Sequence, residues 1–239
     1  MLGPHIVKSF DVHLQHLKDL ICQMGVLASK QVALSLSALD DLSASHATLA
    51  NAQQDELSAL HQAVLERTVT VLALRAPVAD DLRLVTSGLK IAGDLEQIGS
   101  YASGNIRRAI ALRDHPPLDS LRSAAAMGRR ALQELATVLT AYHTGDSQAA
   151  VTVWQNDWRL DEDYSGLFRQ TVSYMLEDPA TITAASHLLF IAKNLERIGD
   201  HATNIAEMVY FLIIGKPLAE ERRKGDSSLS VDDHSRGGL

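Results

Sequence analysis

From about residue 10 to residue 214 the apolar positions recur every three or four residues, and the breaks fall where Gly, Pro and Asp cluster. That spacing predicts long amphipathic helices rather than strands. Six helices are expected. The first, about Phe10 to Leu39, carries Leu14, Leu17, Ile21, Met24, Ala28 and Ala38 on one side; Asp40, Asp41 and Ser43 end it and offer capping oxygens to a second, about Ala44 to Leu74. Pro77 breaks the chain, because the residue before a proline is pushed away from α geometry. A third helix runs from about Val78 to Leu112, and Asp114-His115-Pro116-Pro117 forms a linker. The fourth, about Leu118 to His143, places Leu121, Ala125, Gly128, Leu132, Leu135 and Leu139 on a stripe and stops at Gly145-Asp146. The fifth continues to about Glu177, where Pro179 interrupts. The sixth, about Thr181 to Ile214, carries Ala185, Leu188, Ala192, Leu195, Gly199, Ala202, Ala206 and Val209, a seam whose small residues permit close helix approach.

The two halves of this pattern repeat each other. Met24-Gly25 matches Met127-Gly128, Pro77 matches Pro179, and LEQIGSYA from Leu95 matches LERIGDHA from Leu195, with offsets of 103, 102 and 100 residues. Such a period is too long for a solenoid unit and fits a duplicated three-helix module. The expected fold is therefore all-α, with two tandem three-helix bundles over residues 5–114 and 118–215. The tail, residues 216–239, is rich in charged residues, Ser and Gly, and is expected to be disordered because it buries too little apolar surface to offset ordering entropy.

Composition narrows the function classes. Only 5% of the 239 residues are aromatic and the apolar set is dominated by Ala and Leu, which disfavours a β sandwich or barrel. The formal charge of −7 argues against a general nucleic-acid binder, which needs excess Lys and Arg to displace counterions from phosphates. Cys22 is the single cysteine and forms no zinc-type cluster with His, in keeping with a reducing, cytoplasmic setting. The N-terminus lacks a basic patch followed by an apolar stretch, and the apolar run Met208 to Ile214 is far shorter than the ~20 residues of a membrane span, so neither secretion nor a transmembrane helix is expected.

Four acids stand out against this background. Glu196 and Asp200 lie four apart beside the seam of the last helix, so both carboxylates share one face. Asp157 and Asp161 have the same spacing in the preceding helix, on a stripe otherwise made of Ala150, Trp154, Tyr164, Phe168 and Met175. Like charges so placed repel, and partial burial makes them costly unless a cation sits between them. Oxygen-only ligands suit hard ions such as Mg²⁺, Ca²⁺ or Mn²⁺, and carboxylate-rich bundles also hold iron. The alternative is a solvated acidic edge answered by Arg159, Lys193 and Arg197. The first-half equivalents are read as Asn51, Asp55, Glu96 and Ser100, which retain only Asp55 and Glu96 as acids. No Glu-x-x-His pair, Gly-rich phosphate loop, Gly-x-Ser-x-Gly elbow or His-Glu-x-x-His motif is present. His201 is read as a hydrogen-bonding histidine, and Trp154 and Trp158 as core and core edge.

LERIGDHATNIAE (Leu195 to Glu207), echoed by DLEQIGSYA (Asp94 to Ala102), resembles the PhoU family of phosphate-uptake regulators, with support from FDVHLQHLKDLICQMG, APVADDLRLV and DPATITAASHLLFIAKNLERIGDHA. The resemblance covers roughly His5 to Glu221. It implies two pseudo-symmetric three-helix bundles in a cytoplasmic protein that self-associates as a homodimer, peripheral to the membrane through its partners. It implies regulation rather than catalysis: coupling of a phosphate ABC transporter, at its cytoplasmic side, to a sensor histidine kinase, with repression of the phosphate-starvation response when phosphate is plentiful. The family's acidic metal-binding positions fall on Asp157, Asp161, Glu196 and Asp200, for Mg²⁺, Mn²⁺, iron or Zn²⁺. In the first half, Asn51 and Ser100 replace the usual acids and Gln97 stands where Arg is common. A carboxylate-bridged metalloprotein or metal store, and a metal-free interaction scaffold, are the competing functions.

Overall fold

The computed structural model describes residues 4–74, 79–116 and 118–218, and among them the side chains from residue 11 onward except those of Leu74 and Ala79. These residues form α-helices and short turns, with no strand among them. The helices are α1 (Pro4–Asp41), α2 (Ser45–Leu74), α3 (Ala79–Leu112), α4 (Leu121–Thr144), α5 (Ser147–Asn156), α6 (Trp158–Glu177) and α7 (Ile182–Ile214), with one 3₁₀ turn, Pro179–Thr181, before α7. The expected break at Pro77 and most of the expected disordered tail lie outside the described residues.

Helix ends follow local chemistry. Gly145 and Gly215 take left-handed φ angles of 73° and 77° and close α4 and α7, their N–H groups donating to the carbonyls of Ala141 and Phe211. Asp146 caps α5 by accepting from the N–H groups of Gln148 and Ala149, each at 3.0 Å. α4 begins three residues later than its apolar pattern suggests, because residues 118–120 close as turns while Leu118 stays buried.

The single helix expected before Glu177 is two. At Asp157 the backbone keeps helical angles, φ −48° and ψ −43°, but its carbonyl accepts from Leu160 N–H, three residues on, so the α ladder tightens locally. The apolar stripe of the sequence runs straight through this point, which is why periodicity reads α5 and α6 as one.

α1, α2 and α3 pack on one another as one bundle, and α4 to α7 as a second. The bundles join chiefly through α3 against α7, with α1 against α4 beside it. α3 and α7 run antiparallel: Asp94 meets His201, Asn105 meets Asn194, and Arg108 meets Phe190. Tyr101 and His201, equivalent in the repeat, stack with ring centroids 5.7 Å apart, which puts a local twofold axis between the halves. Matched pairs are buried alike, Met24 with Met127, Leu57 with Leu160, Leu95 with Leu195 and Ile98 with Ile198. The Asp11–Asp41 stretch of α1 is long and apolar enough to cross a membrane, yet half of its most apolar window is buried, where α1 packs on α2, α3 and α4 as a bundle's core helix does.

Candidate metal centre

Gly199 sets how closely α7 approaches α6. A Cβ there would overlap the Leu160 side chain, so the helices meet with only a hydrogen at the crossing. This close crossing brings Asp157, Asp161 and Asp200 together: one oxygen from each lies within 4.8 Å of the others. Two ligands on one ion at 2.0–2.6 Å can be at most about 4–5 Å apart, so the trio has the spread of donors sharing a cation. Asp157 is 3% exposed, and the buried Thr203 hydroxyl donates to its Oδ1 at 2.8 Å. That bond helps to fix the carboxylate's orientation beside Asp161 and Asp200.

Glu196 is placed differently from the other three. Its Oε1 accepts from Lys193 Nζ at 2.6 Å, while Oε2 is buried without a hydrogen-bond partner. Burial pushes its carboxyl above the ordinary value; the Lys193 hydrogen bond opposes this, and Asp200 and Asp161 add to it. Glu196 is thus an acid beside the trio that senses its charge.

One acid escaped the sequence pattern. Glu134 on α4 is 9% exposed, and its carboxyl is pushed up to about 8, first by burial and then by Asp157, against the pull of Arg130 and Arg159. Its Oε2 has no hydrogen-bond partner. Arg130 Nε itself donates to Asp163 at 2.8 Å. The missed signal lay in the repeat: Glu134 follows Met127 by the same seven residues that separate Gln31 from Met24.

The first-half register needs correcting. Gly99 stands to Leu57 and Gln31 as Gly199 stands to Leu160, since a Cβ at Gly99 would overlap both side chains. The equivalents of Asp157 and Asp161 are therefore Gln54 and Ser58, not Asn51 and Asp55, and both of the latter are exposed. Leu57 precedes Gly99 by 42 residues and Leu160 precedes Gly199 by 39, so no single offset serves both helices of the module, and the packing of Leu57 on Gly99 sets the register. Gln31 Nε2 donates to Gln54 Oε1 at 3.3 Å, and Glu96 is held by the Ser58 hydroxyl at 3.2 Å and by His61 Nδ1. Amides and hydroxyls occupy the space that carboxylates fill in the second half. His201 turns its Nδ1 to Asp94 Oδ1 at 2.7 Å, across the bundle interface.

A helical protein made of one three-helix module used twice, with an acidic cluster where two helices of a module cross, is the class this structure defines. The PhoU domain model matches residues 21–109 and 124–209, once in each bundle. The chain belongs to the PhoU family. It is 43% identical over 231 residues, 95% of each chain, to a protein of Xylella fastidiosa strain Temecula1 named phosphate-specific transport system accessory protein PhoU homolog. A Caulobacter vibrioides protein of the same name is 41% identical over 223 residues, 93% of this chain and 97% of that one. Among solved structures, PhoU from Pseudomonas aeruginosa superposes with a TM-score of 0.84 at 34% identity, over 87% of this chain and all of the other. The phosphate transport system regulatory protein PhoU from Streptococcus pneumoniae gives 0.81 at 25% identity, over 87% and 99%.

Proposed function

We propose that this chain is a non-catalytic accessory protein of phosphate-specific transport. It restrains the phosphate-starvation response when phosphate is plentiful by linking the cytoplasmic side of a phosphate ABC transporter to a sensor histidine kinase. The observation that carries this reading is end-to-end similarity, at 43% identity over 95% of both chains, to a protein named as an accessory protein of a phosphate-specific transport system. The fold supports it: long helices in two packed bundles present extended faces for protein contacts. In this reading the protein works in the cytoplasm as a homodimer, peripheral to the membrane through its partners.

Asp157, Asp161 and Asp200 would hold a divalent or iron ion, with the Thr203 hydroxyl orienting Asp157 and Glu196 and Glu134 adding negative charge nearby. A bound cation would neutralise the cluster and brace the crossing of α6 and α7, a structural or modulatory role. Deleting the gene in its host and following a phosphate-starvation reporter in high phosphate tests the function. Derepression is expected; unchanged output overturns it.

A further inference from the structure

One turn from Asp157 and Thr203, toward the end of the bundle interface where α7 finishes, a cavity of about 430 Å³ opens between α3, α5 and α7. Trp154, Met208, Phe211, Pro217 and Leu218 make its apolar walls, and Thr86, Ser87, Lys90 and Glu207 supply its polar groups. This volume lies in the range of pockets that take small organic ligands, and the mix of apolar wall with a few polar groups is theirs as well.

Three features mark it as a built site. Ser87 is 1% exposed and lines the cavity, yet its hydroxyl has no hydrogen-bond partner. Its neighbour Thr86 bonds back to the Leu82 carbonyl, whereas Ser87, like the buried Thr68 and Ser103 elsewhere, does not, and a buried unmade hydrogen bond is costly. Trp154 is 5% exposed, and its indole N–H is committed to Glu207 Oε1 at 2.9 Å, which locks the ring as a wall. Lys90, at the rim, has no ion-pair partner among the described residues, although the protein as a whole is acidic.

We propose that this cavity binds a small monoanionic aromatic molecule, its ring against Trp154, Met208 and Phe211, an acceptor atom taking the Ser87 hydroxyl, and its anionic group on Lys90. Inorganic phosphate is a poor occupant. Its charge would meet one ammonium with the Glu207 carboxylate alongside, and it offers nothing to the apolar walls. The site shares no residue with the acidic cluster and does not rest on the regulatory reading.

The probe is 8-anilinonaphthalene-1-sulfonate, titrated into the full chain carrying Trp158→Phe, so that Trp154 is the remaining tryptophan and reports proximity by energy transfer to the dye. Saturable binding of one dye per chain is expected, with transfer from Trp154. Lys90→Met should weaken it about tenfold, the scale of one lost charge-assisted contact. Thr86→Phe, at an exposed position, should block it without adding a tryptophan, while leaving the helical circular dichroism and melting temperature unchanged. Excess inorganic phosphate should leave the dye bound. Absence of saturable binding, equal affinity in both variants, or displacement by phosphate would overturn the proposal.

Discussion

Thr203 donates its buried hydroxyl to Asp157 Oδ1 at 2.8 Å, one turn along α7 from Asp200, so a residue with no charge of its own orients the least exposed acid of the cluster. Thr203→Val keeps the shape and removes the donor. Partners of this kind, one step removed from a metal, are commonly worth about 10- to 100-fold in metal affinity. Calorimetric titration with Mn²⁺ should show a loss of that size, with the helix content unchanged.

The halves should differ in cation binding. Asp161→Ala with Asp200→Ala removes two of the three clustered carboxylates, and ligand charge strongly tunes oxygen sites, so affinity should fall by about two orders of magnitude or more. Asp55→Ala with Glu96→Ala should change it little, because Asp55 is exposed and Glu96 is held by Ser58 and His61. Titration of both double variants with Mn²⁺, Mg²⁺ and Fe²⁺ decides this. Equal loss from the two would refute the asymmetry.

Glu134 predicts a pH dependence. Its carboxyl rises from an ordinary 4.5 to about 8 in the folded state, so the fold holds that proton more tightly than the unfolded chain does. The associated stability is fully present below pH 4.5 and is lost as pH rises toward 8. Metal-free protein in a chelator should therefore melt at progressively lower temperature over that window. Glu134→Gln should flatten the curve and melt higher at pH 8; a variant that parallels the parent would show that Glu134 does not carry the effect.

The glycine crossings make a third kind of demand. Gly199→Ala drives a methyl into Leu160, and overpacking of this sort costs about 1–3 kcal/mol. Gly99→Ala meets Leu57 and the Gln31–Gln54 pair and should cost a similar amount. Leu160→Ala alone should cost about 2–5 kcal/mol, and the Gly199→Ala, Leu160→Ala double variant should lose less than the sum. Denaturant unfolding of the four proteins closes the cycle, and strict additivity would mean the two positions are not in contact.

Much of the fold was legible in the sequence because its signals are redundant. Each helix has a long apolar period, and LEQIGSYA and LERIGDHA mark the same turn of the same module twice, with Gly99 and Gly199 at the crossing. Asp157 shows where such signals end. Its ladder tightens by one hydrogen bond with hardly a change in backbone angles, and no periodicity registers that. The acidic pair spacing drew attention to Asp157, Asp161 and Asp200, which do meet, but it gave Glu196 equal rank, although that side chain turns to Lys193. Glu134 lay hidden because a buried acid among Ala131, Leu135 and Val138 reads as a polar interruption. Asn51 and Asp55 do not take the places of Asp157 and Asp161, because the offset between the halves changes along the module and only the contact of Leu57 with Gly99 fixes the α2 register.

Tyr101 stacking on His201 has a consequence for how such a chain diverges. An interface in which equivalent positions face each other across a twofold axis is self-complementary, so a half-length chain has the geometry to pair with its own copy through the same helix. In such a pair every substitution appears twice, and both acidic sites rise or fall together. Joining the copies in one polypeptide lifts that constraint. The aromatic of the first half faces an imidazole in the second, Gln54 and Ser58 stand where Asp157 and Asp161 do, and one lobe is free to keep the acids while the other trades them for neutral groups.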